Sequence, residues 1–331
     1  MNELHAVRDR KNMLVAACAA AAATAGWVAG RAQRAEEQHP PAGRFIEIDG
    51  VRVHYFERGE GTPVVLLHGN VVMLQDFVES GLVDALAERH RVIAFDRPGF
   101  GYTTRPRLRL WTPDAQAELL VRVFEALGVE APVVVGHSWA TLVAIALGLR
   151  SAARRLVLLS GYYFPTARFD AVLVAPVATP VIGDVLRYTV SALLARIMLH
   201  RALREMFAPE RLPADYEAVV DRELMLRPSQ IRADAEEGVF LVPAAMHFQD
   251  RYAHLDVPTE IIAGASDRIV DPAAHSSRLH DVVRGSRLRI VAAAGHMLHH
   301  THAAEVIAAV EDDHAPAPEH RATQMDPAIS S

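Results

Sequence analysis

The chain alternates short apolar runs with longer amphipathic segments, and this pattern gives its predicted elements. The apolar runs have the length of strands buried on both faces, at residues 63–67, 91–95, 132–135, 155–160, 259–263 and 287–292. Segments with helical periodicity lie between them, at residues 77–87, 112–127, 140–149, 272–283 and 302–310. Strands that alternate with helices predict the α/β class, with a mostly parallel central sheet flanked by helices.

Two regions depart from this alternation. Residues 44–58 alternate apolar and polar positions with period two around Asp49-Gly50, which is typical of a β-hairpin. Residues 162–252 are punctuated by proline and then helical, so we expect an inserted helical cap there. In chain order we predict an N-terminal segment at 1–44, the first part of the core at 45–161, the cap at 162–252, the second part of the core at 253–311, and a disordered tail at 312–331.

The N-terminal segment contains a long uncharged stretch. Residues 12–30 are dominated by alanine, and basic residues flank them: Arg8, Arg10, Lys11, Arg31 and Arg34. This arrangement predicts a secretory signal or a short membrane anchor, with a linker at residues 31–44. Ala23-Thr24-Ala25 resembles a cleavage site, whereas the apolar run continues through Trp27 and Val28. We expect a membrane-anchored or exported protein, and a cytoplasmic one if the segment is neither signal nor anchor.

Composition narrows the class of protein. Of the 331 residues, 51% are hydrophobic, which suffices for a sizeable core and excludes wholesale disorder. The 34 basic and 40 acidic residues are spread along the chain, and because no basic block occurs we expect no nucleic-acid partner. Cys18 is the single cysteine, so no intrachain disulfide can form.

The stretch Gly136-His137-Ser138-Trp139-Ala140 stands between a predicted strand and a predicted helix. A serine at the tip of such a sharp turn has its hydroxyl clear of the backbone, where a base and a substrate can both reach it. The pattern is close to G-x-S-x-G, with Ala140 in place of the second glycine. We therefore interpret Ser138 as a candidate nucleophile.

A serine hydroxyl needs a base, a group that orients the base and donors for the oxyanion. In an open parallel sheet these groups are expected beyond the carboxyl ends of strands. Asp267 follows the strand at 259–263, and His296 follows the strand at 287–292. Ser138, Asp267 and His296 would form a triad in the order nucleophile, acid, base.

Other side chains compete for these roles. A shift of register would make His299, His300 or His302 the base, although the Gly295-His296 pair favours His296. Asp271 competes with Asp267, but it precedes Pro272 and is typical of a helix N-cap. Five further residues have structural interpretations. We expect the first to belong to a turn, the next two to lie on the surface, and the last two to form hydrogen-bonding scaffold around the site: Asp96, Asp250, Asp256, His68 and His137.

Taken together, four features in order resemble an α/β-hydrolase with a helical cap. They are His68-Gly69 after a strand, the Asp96 to Gly101 turn, the Ser138 elbow, and the late Asp267 and His296. The resemblance covers about residues 45–310. It implies that Ser138 is the nucleophile, His296 the general base and then acid, and Asp267 the orienting carboxylate. It also implies that the oxyanion donors are the backbone N–H groups of Asn70 and Trp139.

The serine favours acyl chemistry on a carbonyl substrate. Family members that form alkyl-enzyme esters carry aspartate at the elbow, so dehalogenation is disfavoured even though Asn70 and Trp139 resemble the halide-binding pair of haloalkane dehalogenases. We expect a hydrophobic ester-like substrate, because the predicted cap is apolar, with Tyr162, Tyr163, Phe164, Phe169, Leu173 and Val174. A C–C bond hydrolase, an acyltransferase or perhydrolase with the same triad, and a non-catalytic ligand-binding protein remain alternatives.

No cofactor and no metal are expected from the sequence. Cysteine and histidine clusters with metal-ligand spacing do not occur in it, and neither does a glycine-rich phosphate loop after a strand.

Overall fold

A single mixed sheet forms the centre of the computed structural model, which describes residues 2–312, with the side chains of residues 2–4, 6 and 169–171 excepted. Its strands in the described chain are β1 (Arg44–Ile48), β2 (Val51–Arg58), β3 (Thr62–Leu67), β4 (His90–Phe95), β5 (Val133–His137), β6 (Arg155–Leu159), β7 (Thr259–Gly264) and β8 (Arg287–Val291). They lie in the order β1-β2-β4-β3-β5-β6-β7-β8. The predicted α/β class with a mostly parallel sheet is confirmed.

Strand pairing follows the sequence pattern. The hairpin of β1 and β2 turns at Asp49 (φ 51°) and Gly50 (φ 73°), the left-handed conformation that a tight hairpin turn requires. β2 is antiparallel to β4, and every pair from β4 to β8 is parallel. In β3, Val65 and Leu67 pack into one apolar layer and Val64 and Leu66 into the other. The central strands are therefore apolar on both faces because both faces are covered.

Helices cover the two faces of the sheet. Their bounds in the described chain are α1 (Asn2–Gln38), α2 (Gln75–Glu79), α3 (Leu82–Ala87), α4 (Pro113–Leu127), α5 (Ala140–Gly148), α6 (Phe169–Ala178), α7 (Ile182–Leu186), α8 (Val190–Phe207), α9 (Tyr216–Val219), α10 (Arg222–Met225), α11 (Pro228–Phe248), α12 (Arg278–Val282), α13 (Leu298–Thr301) and α14 (Ala303–Glu311). Short helical turns lie at Tyr252–His254 and Ala273–Ser277.

Glycine and capping residues set the bounds of two of the predicted helices. The helix predicted at residues 77–87 is split into α2 and α3, because Gly81 adopts φ 76°. The helix predicted at 112–127 forms as α4, with the Thr112 side chain accepting a hydrogen bond from the N–H of Ala115 at 3.2 Å and Gly128 left-handed at its end. Capping residues thus set both boundaries.

The chain between β6 and β7 folds into α6 to α11, in the region predicted as a cap. Pro228 opens α11, where its missing N–H costs no hydrogen bond. α11 packs against α6, α8 and α5, so it joins this region to the core. Two polar residues of α11, Gln230 and Glu237, are fully buried. The predicted residue range 162–252 encloses all of these helices.

The N-terminal helix is longer than expected. Residues 31–38, predicted as part of a linker, belong to α1. They are held by cap residues, since Arg31 pairs with Glu223 at 2.7 Å and Glu36 with Arg227 at 2.8 Å. Within the described chain, Val7–Gln38 is the helical segment that contains a stretch long and apolar enough to cross a membrane, and an 18-residue window of it has a mean hydropathy of 1.7 and is 6% buried. The tail predicted at 312–331 lies, apart from residue 312, outside the described residues.

Candidate active site

The turn between β5 and α5 carries Ser138 at the carboxyl end of the sheet. Ser138 adopts φ 55°, a strained value for a side chain with a Cβ atom, and its N–H donates to the carbonyl of Leu159 at 2.8 Å. A Cβ atom on Gly136 would lie 2.9 Å from the carbonyl oxygen of Ala140, so the turn needs glycine at that position. The tightness of this turn exposes the Ser138 side chain in part, between fully buried neighbours.

Asp267 and His296 are in contact. Nδ1 of His296 lies 2.8 Å from Oδ2 of Asp267, and each side chain is 1% exposed. Oδ1 of Asp267 accepts hydrogen bonds from the N–H groups of Ile269 and Val270 at 2.8 and 3.0 Å. A carboxylate in this position fixes the imidazole so that Nδ1 carries the proton and Nε2 is free to accept one.

The competing histidines lie elsewhere. His299 and His300 each place Nε2 2.7 Å from a carboxylate oxygen of Asp76, and the Tyr216 hydroxyl donates to the same carboxylate at 2.5 Å. Burial alone would raise the pKa of Asp76, but the two histidines hold it well below its usual range. His302 lies 3.7 Å from Glu210. His296 is the member of this group that contacts Asp267.

The competing carboxylates also have other positions. Asp271 caps the turn after it by accepting from Ala273 N–H at 2.8 Å, as predicted. Asp96 is buried and accepts hydrogen bonds from the N–H of Tyr102, just after its own turn, and from the N–H of Leu74 in a separate loop. Asp250 and Asp256 are exposed, in agreement with their interpretation as surface residues.

His137 links the elbow to the loop of His296. Its Nε2 lies 3.0 Å from the carbonyl oxygen of His296, and its ring packs 4.8 Å from the His296 ring and 4.7 Å from the His299 ring. Burial, together with His299 and His296, holds the pKa of His137 well below its usual value. A neutral His137 donates from Nε2 to that carbonyl, and so fixes the position of the His296 loop.

Asp76, His137 and His299 place possible ligand atoms within 4.8 Å of one another. Two imidazoles and a carboxylate form a set that zinc accepts. However, Nε2 of His299 and the Asp76 carboxylate already hydrogen-bond each other at 2.7 Å. A metal held by that carboxylate would compete with this bond and with the hydrogen bonds from His300 and Tyr216, so the contacts are those of a buried hydrogen-bond network.

The loop His68-Gly69-Asn70 lies against the elbow. A Cβ atom on Gly69 would approach the Cβ of Ser138 to 3.1 Å and Nδ1 of His137 to 3.0 Å, so glycine permits this close contact. Among the described residues, the backbone N–H groups of Asn70 and Trp139 donate no hydrogen bond. Both predicted donors are therefore free to bind an anionic oxygen, and Asn70 follows the residue that touches Ser138.

Arg97 supports the loop His68-Gly69-Asn70 through hydrogen bonds. Its guanidinium donates to the carbonyl oxygens of His68 at 2.7 Å and Gly69 at 3.0 Å, and to Oδ1 of Asn70 at 2.8 Å. Its remaining donor reaches Oε2 of Glu237 at 2.6 Å, and both side chains are 1% exposed. Burial lowers the pKa of Arg97 and the carboxylate of Glu237 opposes that shift. The Asp96 to Gly101 motif, predicted as a turn, therefore also contributes the residue that supports this loop.

His68 is part of the same support. Its Nδ1 lies 2.7 Å from the Gly69 carbonyl oxygen, and its Nε2 accepts the backbone N–H of Arg97 at 3.0 Å. Burial and the charge of Arg97 lower the pKa of His68 to about 3. The ring is therefore neutral at working pH, and its contacts are those of the predicted scaffold residue.

Asp234 of α11 is a further residue that the sequence did not suggest. Its Oδ1 accepts the backbone N–H of Val71 at 2.8 Å, directly after Asn70. Burial raises the pKa of Asp234 to about 7, and the carboxylate of Glu237 acts in the same direction. No local pattern marks it, because acidic residues on a helix ordinarily face solvent.

Part of the predicted substrate-binding surface is packed inside the protein. Tyr162, Tyr163 and Phe164 are at most 2% exposed and belong to the core layer that holds the cap on the sheet. Leu173 is 80% exposed, and the side chain of Phe169 lies outside the description. These three aromatic residues attach the cap to the sheet.

Comparison with known proteins gives the family. The family model described as the alpha/beta hydrolase family matches residues 64–310. A 2-hydroxymuconate semialdehyde hydrolase of Pseudomonas sp. (strain CF600) is 29% identical over 84% of this chain and 95% of its own length. Haloalkane dehalogenase 2 of Mycobacterium tuberculosis is 29% identical over 38% of this chain and 44% of its own length.

Solved structures share the fold. An alpha/beta hydrolase fold protein from Burkholderia ambifaria has a TM-score of 0.69 at 22% identity, covering 83% of this chain and 98% of its own. A structure titled as a membrane phospholipase A has a TM-score of 0.62 at 19% identity, covering 92% and 96%. Family model, relatives and fold agree, and this chain is a hydrolase that belongs to the alpha/beta hydrolase family.

Proposed function

We propose that this protein is a serine hydrolase that cleaves a hydrophobic ester through an acyl-enzyme on Ser138. The observation that carries the proposal is the buried contact between Asp267 and His296, beside an elbow whose serine is held at φ 55°. A buried carboxylate that fixes the tautomer of a histidine, on a loop that contacts the elbow of the partly exposed Ser138, supplies the parts that acyl transfer needs.

The reaction has two halves. In the first, Ser138 Oγ attacks the ester carbonyl while its proton passes to Nε2 of His296, and the oxyanion accepts hydrogen bonds from the N–H groups of Asn70 and Trp139. The ester C–O bond breaks, and the leaving alkoxide takes the proton from His296. In the second half, a water molecule gives a proton to His296 and attacks the acyl carbon, and Ser138 leaves with that proton. Asp267 stays ionised throughout.

Apolar surface supports a hydrophobic substrate and a location at a membrane. Apolar residues of the cap that are more than half exposed are Val172, Leu173, Val181, Ile182, Val185, Val190, Leu194, Ile197, Met198 and Met246. Exposed apolar residues in such number are unusual for a protein surrounded by water. We infer that α1 anchors the protein in a membrane and that the substrate is an ester with a long apolar group.

Labelling of the nucleophile tests the proposal. A fluorophosphonate probe should label the full-length protein in detergent, and Ser138→Ala should abolish the labelling. Ser151→Ala is a matched control, because Ser151 is an exposed serine with the same φ of 55° but lies beyond the far end of α5. Absence of labelling in folded wild-type protein would refute the proposal. A series of p-nitrophenyl esters from acetate to palmitate then measures the preferred chain length.

Hydrolysis of a C–C bond is the second candidate, favoured by the relative named as a 2-hydroxymuconate semialdehyde hydrolase. The same Ser138 would attack a ketone in place of an ester, and the leaving group would be a stabilised carbanion that takes a proton. Turnover of a ring-cleavage product, followed by loss of its absorbance, compared with turnover of the preferred p-nitrophenyl ester decides between the two.

A further inference from the structure

A cleft of about 550 Å³ lies apart from Ser138, between the end of α1, the turn after β4 and the cap helices. Its lining includes six arginines, which define the arginine cleft: Arg52, Arg105, Arg107, Arg187, Arg227 and Arg232. Glu36 is the carboxylate in the lining. The volume is in the range of pockets that enclose small ligands.

The lining of the arginine cleft carries more positive than negative charge. Five of its arginines pair with three carboxylates: Arg107 at 2.7 Å and Arg187 at 2.5 Å with Asp184, Arg105 at 2.7 Å and Arg232 at 2.6 Å with Glu236, and Arg227 at 2.8 Å with Glu36. Arg52 stacks its guanidinium 4.2 Å from the ring centre of Phe45. Arg105 also reaches Glu237 at 3.3 Å, but that carboxylate is held by Arg97. Walls of low dielectric concentrate the field of such a surplus inside the cleft.

Donor chemistry in the cleft fits a phosphate group. Guanidinium groups bind phosphate oxygens in pairs, and Arg52 and Arg107 present exposed guanidinium groups to the cleft, with 60% of the Arg107 side chain exposed. Tyr188 and Ser229 add hydroxyl groups to the lining. The cleft is thus a set of planar donors around a space that a phosphate ester can enter.

The surroundings indicate where that phosphate comes from. On α7, Ile182 and Val185 are 56% and 59% exposed, directly before Arg187 and Tyr188 of the cleft. Glu36 belongs to the last turns of α1, whose preceding residues are long and apolar enough to span a membrane. Basic side chains beside exposed apolar ones, close to the end of such a helix, match the depth at which lipid phosphates lie.

We propose that the arginine cleft binds a phosphate group, supplied by the headgroup of an anionic phospholipid. This binding is separate from the chemistry at Ser138 and needs no turnover. It would fix the orientation of the cap relative to the lipid surface, because the cleft joins α1 to α7 and α11.

A binding measurement on the full-length chain tests the proposal. The protein carries Ser138→Ala, is held in an uncharged maltoside detergent, and is titrated calorimetrically with sn-glycerol 3-phosphate and with inorganic phosphate. We expect saturable binding that weakens as salt is added. Arg52→Gln with Arg107→Gln, both exposed residues of the cleft, should weaken it at least about tenfold. Arg58→Gln with Arg89→Gln removes the same charge at a distant surface and should leave it unchanged.

Doping the micelles distinguishes the sources of phosphate. Displacement of sn-glycerol 3-phosphate by phosphatidylglycerol, and not by phosphatidylcholine, supports the lipid headgroup. Binding that the doped lipid does not displace supports the phosphate site but overturns its assignment to lipid. No saturable binding, or equal affinity in the two double variants, overturns the site itself. Fluorophosphonate labelling of Ser138 in the parent chain is independent of each result.

Discussion

Arg97 and Glu237 form a buried ion pair at 2.6 Å that joins the loop beside Ser138 to the cap helix α11. Arg97 also donates hydrogen bonds to that loop, at the carbonyl oxygens of His68 and Gly69 and at the side chain of Asn70. Arg97 therefore positions the loop of Asn70, a predicted oxyanion donor. The position of Glu237 depends on how α11 of the cap packs on the core. The cap and the loop His68-Gly69-Asn70 are coupled through these two side chains.

Glu237→Gln tests this coupling. The amide keeps the shape and one hydrogen bond but leaves the charge of Arg97 buried without its partner, so we expect a loss of about 3 kcal/mol in the free energy of unfolding. Because the loop His68-Gly69-Asn70 loses its fixed support, kcat should fall about tenfold or more with a smaller change in KM. Urea denaturation and ester hydrolysis measure the two effects.

The control for Glu237→Gln is a pair at the surface. Arg122 and Asp49 are 45% and 46% exposed, so Arg122→Gln should change the free energy of unfolding by less than about 1 kcal/mol and leave kcat unaltered. Equal effects of the two substitutions would show that the buried pair has no special role.

Replacement of single histidines tests the assignment of the base. His296→Ala removes the imidazole that contacts Asp267, and we expect kcat to fall by roughly three orders of magnitude or more. His299→Ala removes a buried partner of Asp76, so it should cost about 1–3 kcal/mol of stability and much less activity. Hydrolysis rates at saturating ester, with a thermal melt of each variant, separate the two losses. The reverse pattern of rates would assign the base to His299.

The core of the fold was predictable because its signals are local. Val133 to Val135 form a continuous apolar run, and a strand needs such a run when both faces are covered. Asp267 and His296 were predictable for a related reason, since each follows a strand whose carboxyl end lies at the same edge of the sheet as Ser138. The order of strands and turns in the sequence thus predicts where the candidate site lies.

Residues that act through long-range charge contacts were not predictable. Arg97 and Glu237 are 140 positions apart, and a charged residue in a helix pattern is ordinarily assigned to solvent. The same reasoning misplaced residues 31–38 in a linker, because their charges pair with Glu223 and Arg227 of the cap. A pattern of polar residues cannot show whether their partners are water molecules or distant parts of the chain.

Gly69→Ala tests the close approach of the two loops. The added methyl would lie 3.1 Å from the Cβ of Ser138, so one of the loops must shift and the N–H of Asn70 moves from its position. Loss of one oxyanion donor costs about 10²–10³ in kcat, and a displacement should cost a sizeable part of that. Steady-state hydrolysis of the preferred ester measures it. Gly26→Ala is the control, because no atom lies within 4 Å of the added methyl, and it should leave kcat unchanged. A wild-type rate for Gly69→Ala would contradict the close approach of Gly69 to Ser138.

The last prediction concerns the pH dependence that Asp234 imposes. Its pKa is raised to about 7 in the folded protein, against about 3.9 in an unfolded chain. Between these values the native state binds more protons than the unfolded state, so the free energy of unfolding falls as pH rises, by at most about 1.4 kcal/mol per pH unit from this group. The stabilisation is complete below the unfolded pKa and is lost as pH rises through about 7.

Asp234→Asn removes this contribution while its carbonyl oxygen still accepts the N–H of Val71. Other groups titrate over the same range, so the difference between variant and wild type isolates Asp234. Urea denaturation from about pH 4.5 to about pH 8.5 should show the variant gaining stability relative to wild type with rising pH. Asp84→Asn, at a side chain that is 62% exposed, should follow the wild-type profile. If the free energies of unfolding of Asp234→Asn and wild type change with pH in parallel, Asp234 is ionised in the folded protein throughout this range. The raised pKa of Asp234 would then be wrong.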